Sequence, residues 1–212
     1  FKEKSGIDLQ RFSFRVIGNK KKLSISNIDI KLPSSSLRLN NIVFTYNELK
    51  NLPRFSDDVR FSGNVIAQIS PNDLSSFVPV MRNYRDDINI SIRISGNNDK
   101  VVCSRFNMTD KLGMEINGEA YIDGLKSKNP EVSLTLFNSN LTNSNINNIV
   151  NSFRISLPAP ITERKFINFK GEISGVLSNL ALNGILQSDL GIVNTKIVMN
   201  RDDNGKRSYS GK

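Results

Sequence analysis

The chain has 212 residues, a formal charge of +9, a pI near 9.7, 38% hydrophobic side chains, no His, no Trp and a single Cys. That length holds one large domain or two small ones, at about 100–200 residues each. Without His, and with one thiol, no Ser–His–Asp triad, Cys–His pair, His-based zinc site, imidazole proton shuttle or disulfide within the chain can be built.

In chain order, the dominant pattern is a period of two. Gly18-Asn19 reads as a hairpin turn, followed by the basic run Lys20-Lys21-Lys22. Asn and Gly suit such turns because they accept positive φ at low cost. Ile28, Ile30 and Leu32 form the first alternating row. Residues 47–52 read as a short helical turn. In Ser70-Pro71-Asn72-Asp73, Ser70 reads as an N-cap, Pro71 as the first helical residue and Asp73 as the partner in a capping box. Leu74, Phe77, Val78 and Met81 then follow at helical spacing. Pro79 ends or kinks that helix early.

Ile88, Ile90, Ile92 and Ile94 alternate with Asn89, Ser91, Arg93 and Ser95, and Ser95-Gly96-Asn97-Asn98 reads as the next turn. Val132, Leu134 and Leu136 form another row. A second helix starts near Thr142, with Ile146, Ile149, Val150 and Phe153 on one face, and stops before Leu157-Pro158-Ala159-Pro160. Strands resume at Phe166, through Leu180, Leu182 and Leu186 and then Val193, Thr195, Ile197 and Met199. Asp202-Asp203-Asn204-Gly205 reads as a last hairpin turn. Successive strand side chains point to opposite faces, so each row sets apolar groups on one side and polar groups on the other. About a dozen such strands place the chain in the all-β class, with two short helices. Residues 157–162 are the expected junction. It divides a β unit over 1–156 from the start of a following β repeat over 157–212. The chain begins at Phe1 and ends in strand-like sequence at Ser210-Gly211-Lys212, as a piece of a longer protein would.

Three segments share an apolar–polar–Gly–polar–apolar pattern: Phe61 to Val65, Ile116 to Ala120 and Phe169 to Ile173. Glycine within a strand often marks a bulge or bend, and a sheet that bends repeatedly one way rolls into a trough. The adjacent carboxylates Asp57-Asp58, Asp86-Asp87 and Asp202-Asp203 read as solvated turn residues rather than a catalytic pair. Cys103 reads as an inert, buried thiol with no base to activate it. No phosphate-cradling loop is present. The expectation is therefore a protein that is not an enzyme and uses no cofactor. The basic balance lacks the aromatic interleaving of a nucleic-acid surface, so no nucleic-acid partner is expected. The two readings left for the charge are attraction to anionic lipid headgroups or an acidic partner, and a diffusely basic surface that serves solubility. The apolar rows Ile88, Ile90, Ile92, Ile94, Leu134, Leu136, Leu180, Leu182, Leu186, Val193 and Ile197 are the candidate lining of a groove, with the core of a closed sandwich as the alternative. Phe77, Met81, Ile149 and Phe153 read as caps over the sheet.

The order of motifs resembles the AsmA-like superfamily, in particular the TamB-type translocation and assembly proteins of Bacteroidetes-like bacteria. One carrier is the stretch Lys22 to Ser35 followed by Phe44-Thr45-Tyr46. Another is Ile69-Ser70-Pro71-Asn72-Asp73-Leu74 with Phe77 and Pro79. The most specific is Phe169 to Gly175, then Asn179-Leu180 and Leu186-Gln187-Ser188-Asp189-Leu190-Gly191. Leu37-Arg38-Leu39-Asn40 departs from the pattern, since a glycine-bearing turn is expected there. The resemblance implies an elongated, curled antiparallel sheet, a β-taco, whose apolar groove takes phospholipid acyl chains. It also implies a periplasmic location, a parent chain anchored in the inner membrane, lipid transport between the membranes and a part in outer-membrane biogenesis and protein secretion. An outer-membrane barrel assembly protein is the implied partner. The competing expectations are a scaffold that binds barrel proteins or their strands by β-augmentation, and a carbohydrate-binding module, which the absence of Trp disfavours.

Overall fold

The computed structural model describes residues 8–75, 79–153, 162–201 and 206–211. The described chain is all-β. Its strands are β1 (Arg11–Gly18), β2 (Lys22–Lys31), β3 (Ser36–Thr45), β4 (Arg60–Ile69), β5 (Ile88–Gly96) and β6 (Lys100–Thr109). They continue as β7 (Glu115–Asp123), β8 (Glu131–Thr142), β9 (Phe166–Val176), β10 (Asn179–Ser188), β11 (Gly191–Arg201) and β12 (Arg207–Gly211). All twelve form one antiparallel meander in sequence order. The strands on either side of residues 157–162 are neighbours in this sheet, β8 pairing directly with β9. Residues 157–161 of that junction, the Asp202–Gly205 turn, Phe77 and Val78 lie outside the described residues.

Two helices interrupt the meander. The helix α1 (Pro71–Leu74) is a single turn, and a 3₁₀ turn restarts at Pro79–Asn83. The expected capping box does not form. The Asp73 carboxylate instead accepts from the Ser34 N–H at 3.0 Å, and the Ser70 N–H donates to Ser35 Oγ at 2.9 Å. The β2–β3 turn has claimed both capping groups. The second helix, α2 (Asn143–Phe153), fills the β8–β9 connection. A 3₁₀ turn at Leu49–Asn51 occupies the expected place within 47–52.

The sheet is open and not strongly curled, which departs from the rolled trough that the resemblance implies. Two of the repeated-segment glycines adjoin irregular register: Gly118 and Gly171 both pair with Leu136, next to the extra residue Phe137. Gly63 pairs regularly with Ile42 and Ile94. A Cβ on Gly171 or Gly184 would stand 2.8 or 2.6 Å from the Phe169 ring, so these glycines leave room for an aromatic ring lying across the sheet. The register slips at extra residues: Asn40 in β3, Ser104 in β6, Phe137 in β8 and the Asn27 region of β2. Asn27 has φ 54, a left-handed conformation that Asn tolerates better than most residues. The stretch Leu37 to Asn40 is therefore not a turn. It is the middle of β3, with Asn40 as the extra residue.

One layer leaves much surface in water. The chain exposes 13594 Å², where a globular protein of its 23.7 kDa mass exposes roughly 9,800 Å². Few apolar side chains are buried. Tyr84, Ile88 and Met114 form the centre of one cluster, with Met81, Ile90, Met108, Ile116, Leu141 and Ile149 packed around them. This cluster lies where α2 and the Pro79–Asn83 turn fold over one end of β5 to β8.

Candidate functional site

The register carries single rows of side chains across the whole sheet. One row runs Val16, Ile25, Ile42, Gly63, Ile94, Cys103, Ala120, Leu134, Ile173, Leu182, Ile197 and Gly211, one residue per strand. A second runs from Leu23 through Phe44, Phe61, Val101, Ile122, Val132, Leu180 and Met199 to Tyr209. A third joins Ile28, Leu39, Val65, Ile92, Phe106, Gly118, Leu136, Gly171, Gly184 and Thr195. A fourth joins Phe12, Ile30, Leu37, Ala67, Ile90, Met108, Ile116, Ser139, Phe169, Leu186 and Val193. Paired residues project to the same side, so these rows make one apolar face. Away from Tyr209 at the edge, its polar interruptions are Thr195 and Ser139. The Ser139 hydroxyl is occupied, donating to the Phe169 carbonyl at 2.8 Å and accepting the Phe169 N–H at 3.2 Å.

Every residue proposed from sequence as lining lies on this face. Ile92, Ile94, Leu134, Leu136, Leu180, Leu182 and Leu186 are half-buried, whereas Val193 and Ile197 are exposed at 57% and 38%. Ile88 is only 9% exposed and belongs to the cluster beneath the helices, with Ile90 packed against it. These two are core at one end of the face rather than open surface. Met81 and Ile149 cap that cluster, as expected, and the side chain of Phe153 is outside those described. Cys103 sits in the first row, and burial pushes its thiol up from the usual cysteine range. Asp57 and Asp58 do not face one another. Asp57 binds Lys126 Nζ at 2.5 Å and Asn98 at 2.8 Å, while Asp58 binds the Asn47 N–H and the Asn51 amide. They tie the loops at one end of the strands.

Sequence reasoning missed the polar side of α2. Asn145, Asn148 and Ser152 are buried together with Ile146. Asn145 Nδ2 donates to Asp110 Oδ2 at 2.6 Å, Met114 N–H donates to Asp110 Oδ1 at 2.8 Å, and Tyr84 donates to Asp110 Oδ2 at 3.4 Å. The run Asn143, Asn145, Asn147, Asn148 was the available signal, because so many amides on one short helix need acceptors. Burial, then the charge of Asp110 and the hydrogen bond to it, push the Tyr84 phenol up from 10.0 to about 12. Its unfolded form ionises first as pH rises. The stabilisation is complete below about pH 10 and is lost as pH climbs through 12. Denaturant unfolding at pH 9 and pH 11.5 should show this loss in the wild type and a smaller one in Tyr84→Phe. Equal losses in both would remove Tyr84 as the cause.

The geometry defines an open, single-layer β-sheet with one continuous apolar face, one polar face and a helical cap at one end of its central strands. Comparison with protein-family models, curated proteins and solved structures finds no match for this chain.

Proposed function

We propose that the chain is a non-enzymatic lipid-groove module of the AsmA-like, TamB-type kind, working in the periplasm within a parent protein anchored in the inner membrane. The observation that supports this is the apolar face that crosses twelve strands and stays half exposed. A soluble domain ordinarily covers such a face with a second layer. Here the helices cover one end of the central strands. Acyl chains lying on the remainder would gain about 0.8 kcal/mol per buried CH₂, the same driving force that fills a core. At about 4.8 Å between strands the face is roughly 50 Å long, enough for several lipids in file. In this reading the sheet is a shallow trough that deepens around its cargo, and the extra residues at Asn27, Asn40, Ser104 and Phe137 are where it flexes. Phospholipid would move along nearly uniform aliphatic rows between the membranes, without a covalent step or a cofactor, in support of outer-membrane biogenesis.

Native mass spectrometry of the purified chain tests this. Bound phospholipid is the expected result. A lipid-free dimer that hides the apolar face would overturn it. A second reading, a scaffold for outer-membrane barrel proteins or their strands, is supported by the edge of β1, all of whose residues are exposed and whose outer backbone has no partner strand among the described residues. A lipid-free monomer that captures a barrel-strand peptide would favour that reading.

A further inference from the structure

At the β1 end of the apolar face, a cleft of about 660 Å³ opens between the β1–β2 hairpin and the 3₁₀ turn at Leu49–Asn51. Leu23 and Tyr46 form its inner wall, and Leu49, 59% exposed, forms its outer lip. Its surface is mostly carbon, but Lys20 stands at its mouth. Lys20 opens the run Lys20-Lys21-Lys22, all exposed and, among the described residues, in no ion pair. Other lysines along this end of the strands are engaged: Lys50 with Glu48, Lys100 with Asp123 and Lys126 with Asp57. Glu48, the acidic residue of the cleft, is thus already neutralised by Lys50 at 2.6 Å.

The hairpin is also held in place. Asn19 Oδ1 accepts the N–H groups of Lys21 and Lys22 at 2.9 Å each, and Tyr46 donates its hydroxyl to the Asn19 carbonyl at 2.9 Å. The Tyr46 N–H donates to the Lys21 carbonyl at 3.1 Å. A buried tyrosine therefore fixes the lysine loop beside the apolar cleft.

We infer that this cleft is an anionic-phospholipid site: an acyl chain lies against Leu23, Tyr46 and Leu49, and the net negative headgroup is met by Lys20 beside the cleft, with Lys21 and Lys22 adding positive charge to the same hairpin end. The inference rests on the reading of the apolar face as a lipid surface and adds to it a preference for net negative headgroups at one corner. Equilibrium binding of fluorophore-labelled phosphatidylglycerol and phosphatidylethanolamine with identical acyl chains tests it on the intact chain. Phosphatidylglycerol should bind about tenfold more tightly at low salt, and the preference should shrink severalfold at about 0.5 M salt, where the Debye length falls to about 4 Å. The triple variant Lys20→Gln, Lys21→Gln, Lys22→Gln should lose the preference while its phosphatidylethanolamine affinity stays within about twofold, since that lipid carries no net charge. Leu49→Asp should weaken both lipids. A triple variant that keeps the preference, or a wild type that shows none, overturns the cleft assignment and leaves the apolar face as a lipid surface. A wild type that binds neither lipid overturns both.

Discussion

Replacing Ile92 and Leu134 together by Glu should strip the purified protein of phospholipid, by at least about tenfold in the bound fraction, while leaving a folded sheet. Both side chains are half-buried on the apolar face, in adjacent rows and outside the cluster under the helices. A carboxylate placed there keeps access to water, so it escapes the several kcal/mol that a fully buried, unpaired charge would cost. A hydrocarbon chain laid across it has no such escape. It must desolvate the carboxylate or forfeit several buried CH₂ groups at about 0.8 kcal/mol each. Native mass spectrometry reads the lipid, and circular dichroism with a cooperative melt reads the sheet. Loss of lipid with a retained melt supports the groove. Retained lipid would show that the cargo lies elsewhere. Loss of the fold itself would mean that these residues are core, as in a closed sandwich, and the carrier reading would fall.

The second large effect is expected at Asp110. Its carboxylate accepts from Asn145 Nδ2, from the Met114 N–H and from Tyr84, and Asn145 is wholly buried. Asp110→Ala removes the acceptor and leaves at least two donors without partners in a region closed to water. At about 1–3 kcal/mol for each of two stranded groups, the loss is about 2–6 kcal/mol. The affected contacts hold α2 and Tyr84 over β5 to β8, so the cap should loosen first. Hydrogen exchange should quicken in α2 and around Met114 before it does in β10 and β11. Asp110→Asn, which keeps one carbonyl acceptor, should fall between. An Asp110→Ala protein within about 0.5 kcal/mol of wild type would show that the hub contributes little.

These expectations differ in how far the sequence reveals them. The rows Ile88 to Ile94, Val132 to Leu136 and Leu180 to Leu186 were legible because a strand repeats every two residues and one of its faces is apolar. Their union into a single face was not, because four strands break the period. In β3 the apolar residues run Leu37, Leu39, then Ile42 and Phe44. In β6 they run Val101, Cys103, then Phe106 and Met108. Asn40 and Ser104 absorb the slip, and both halves of each strand then face the same way. In sequence that slip is indistinguishable from a turn, which is why Leu37 to Asn40 looked like one. The capping box failed for a related reason. Local grammar placed Ser70 and Asp73 correctly for a cap, but a turn 35 or more residues away in sequence took their hydrogen bonds.

The all-β class, the approximate number of strands, the connections that hold the two helices and the chemistry ruled out by the lack of His can all be read from the residues alone. Those follow from side-chain periodicity and residue type, which are local. Which strands are neighbours, the lack of a second layer over most of the apolar face among the described residues, and the split between a core Ile88 and an open Ile197 emerge from the folded chain. Register and coverage depend on hydrogen bonds between strands and on where α2 comes to rest. Both are set by contacts between residues far apart in the chain, and no window of sequence contains them.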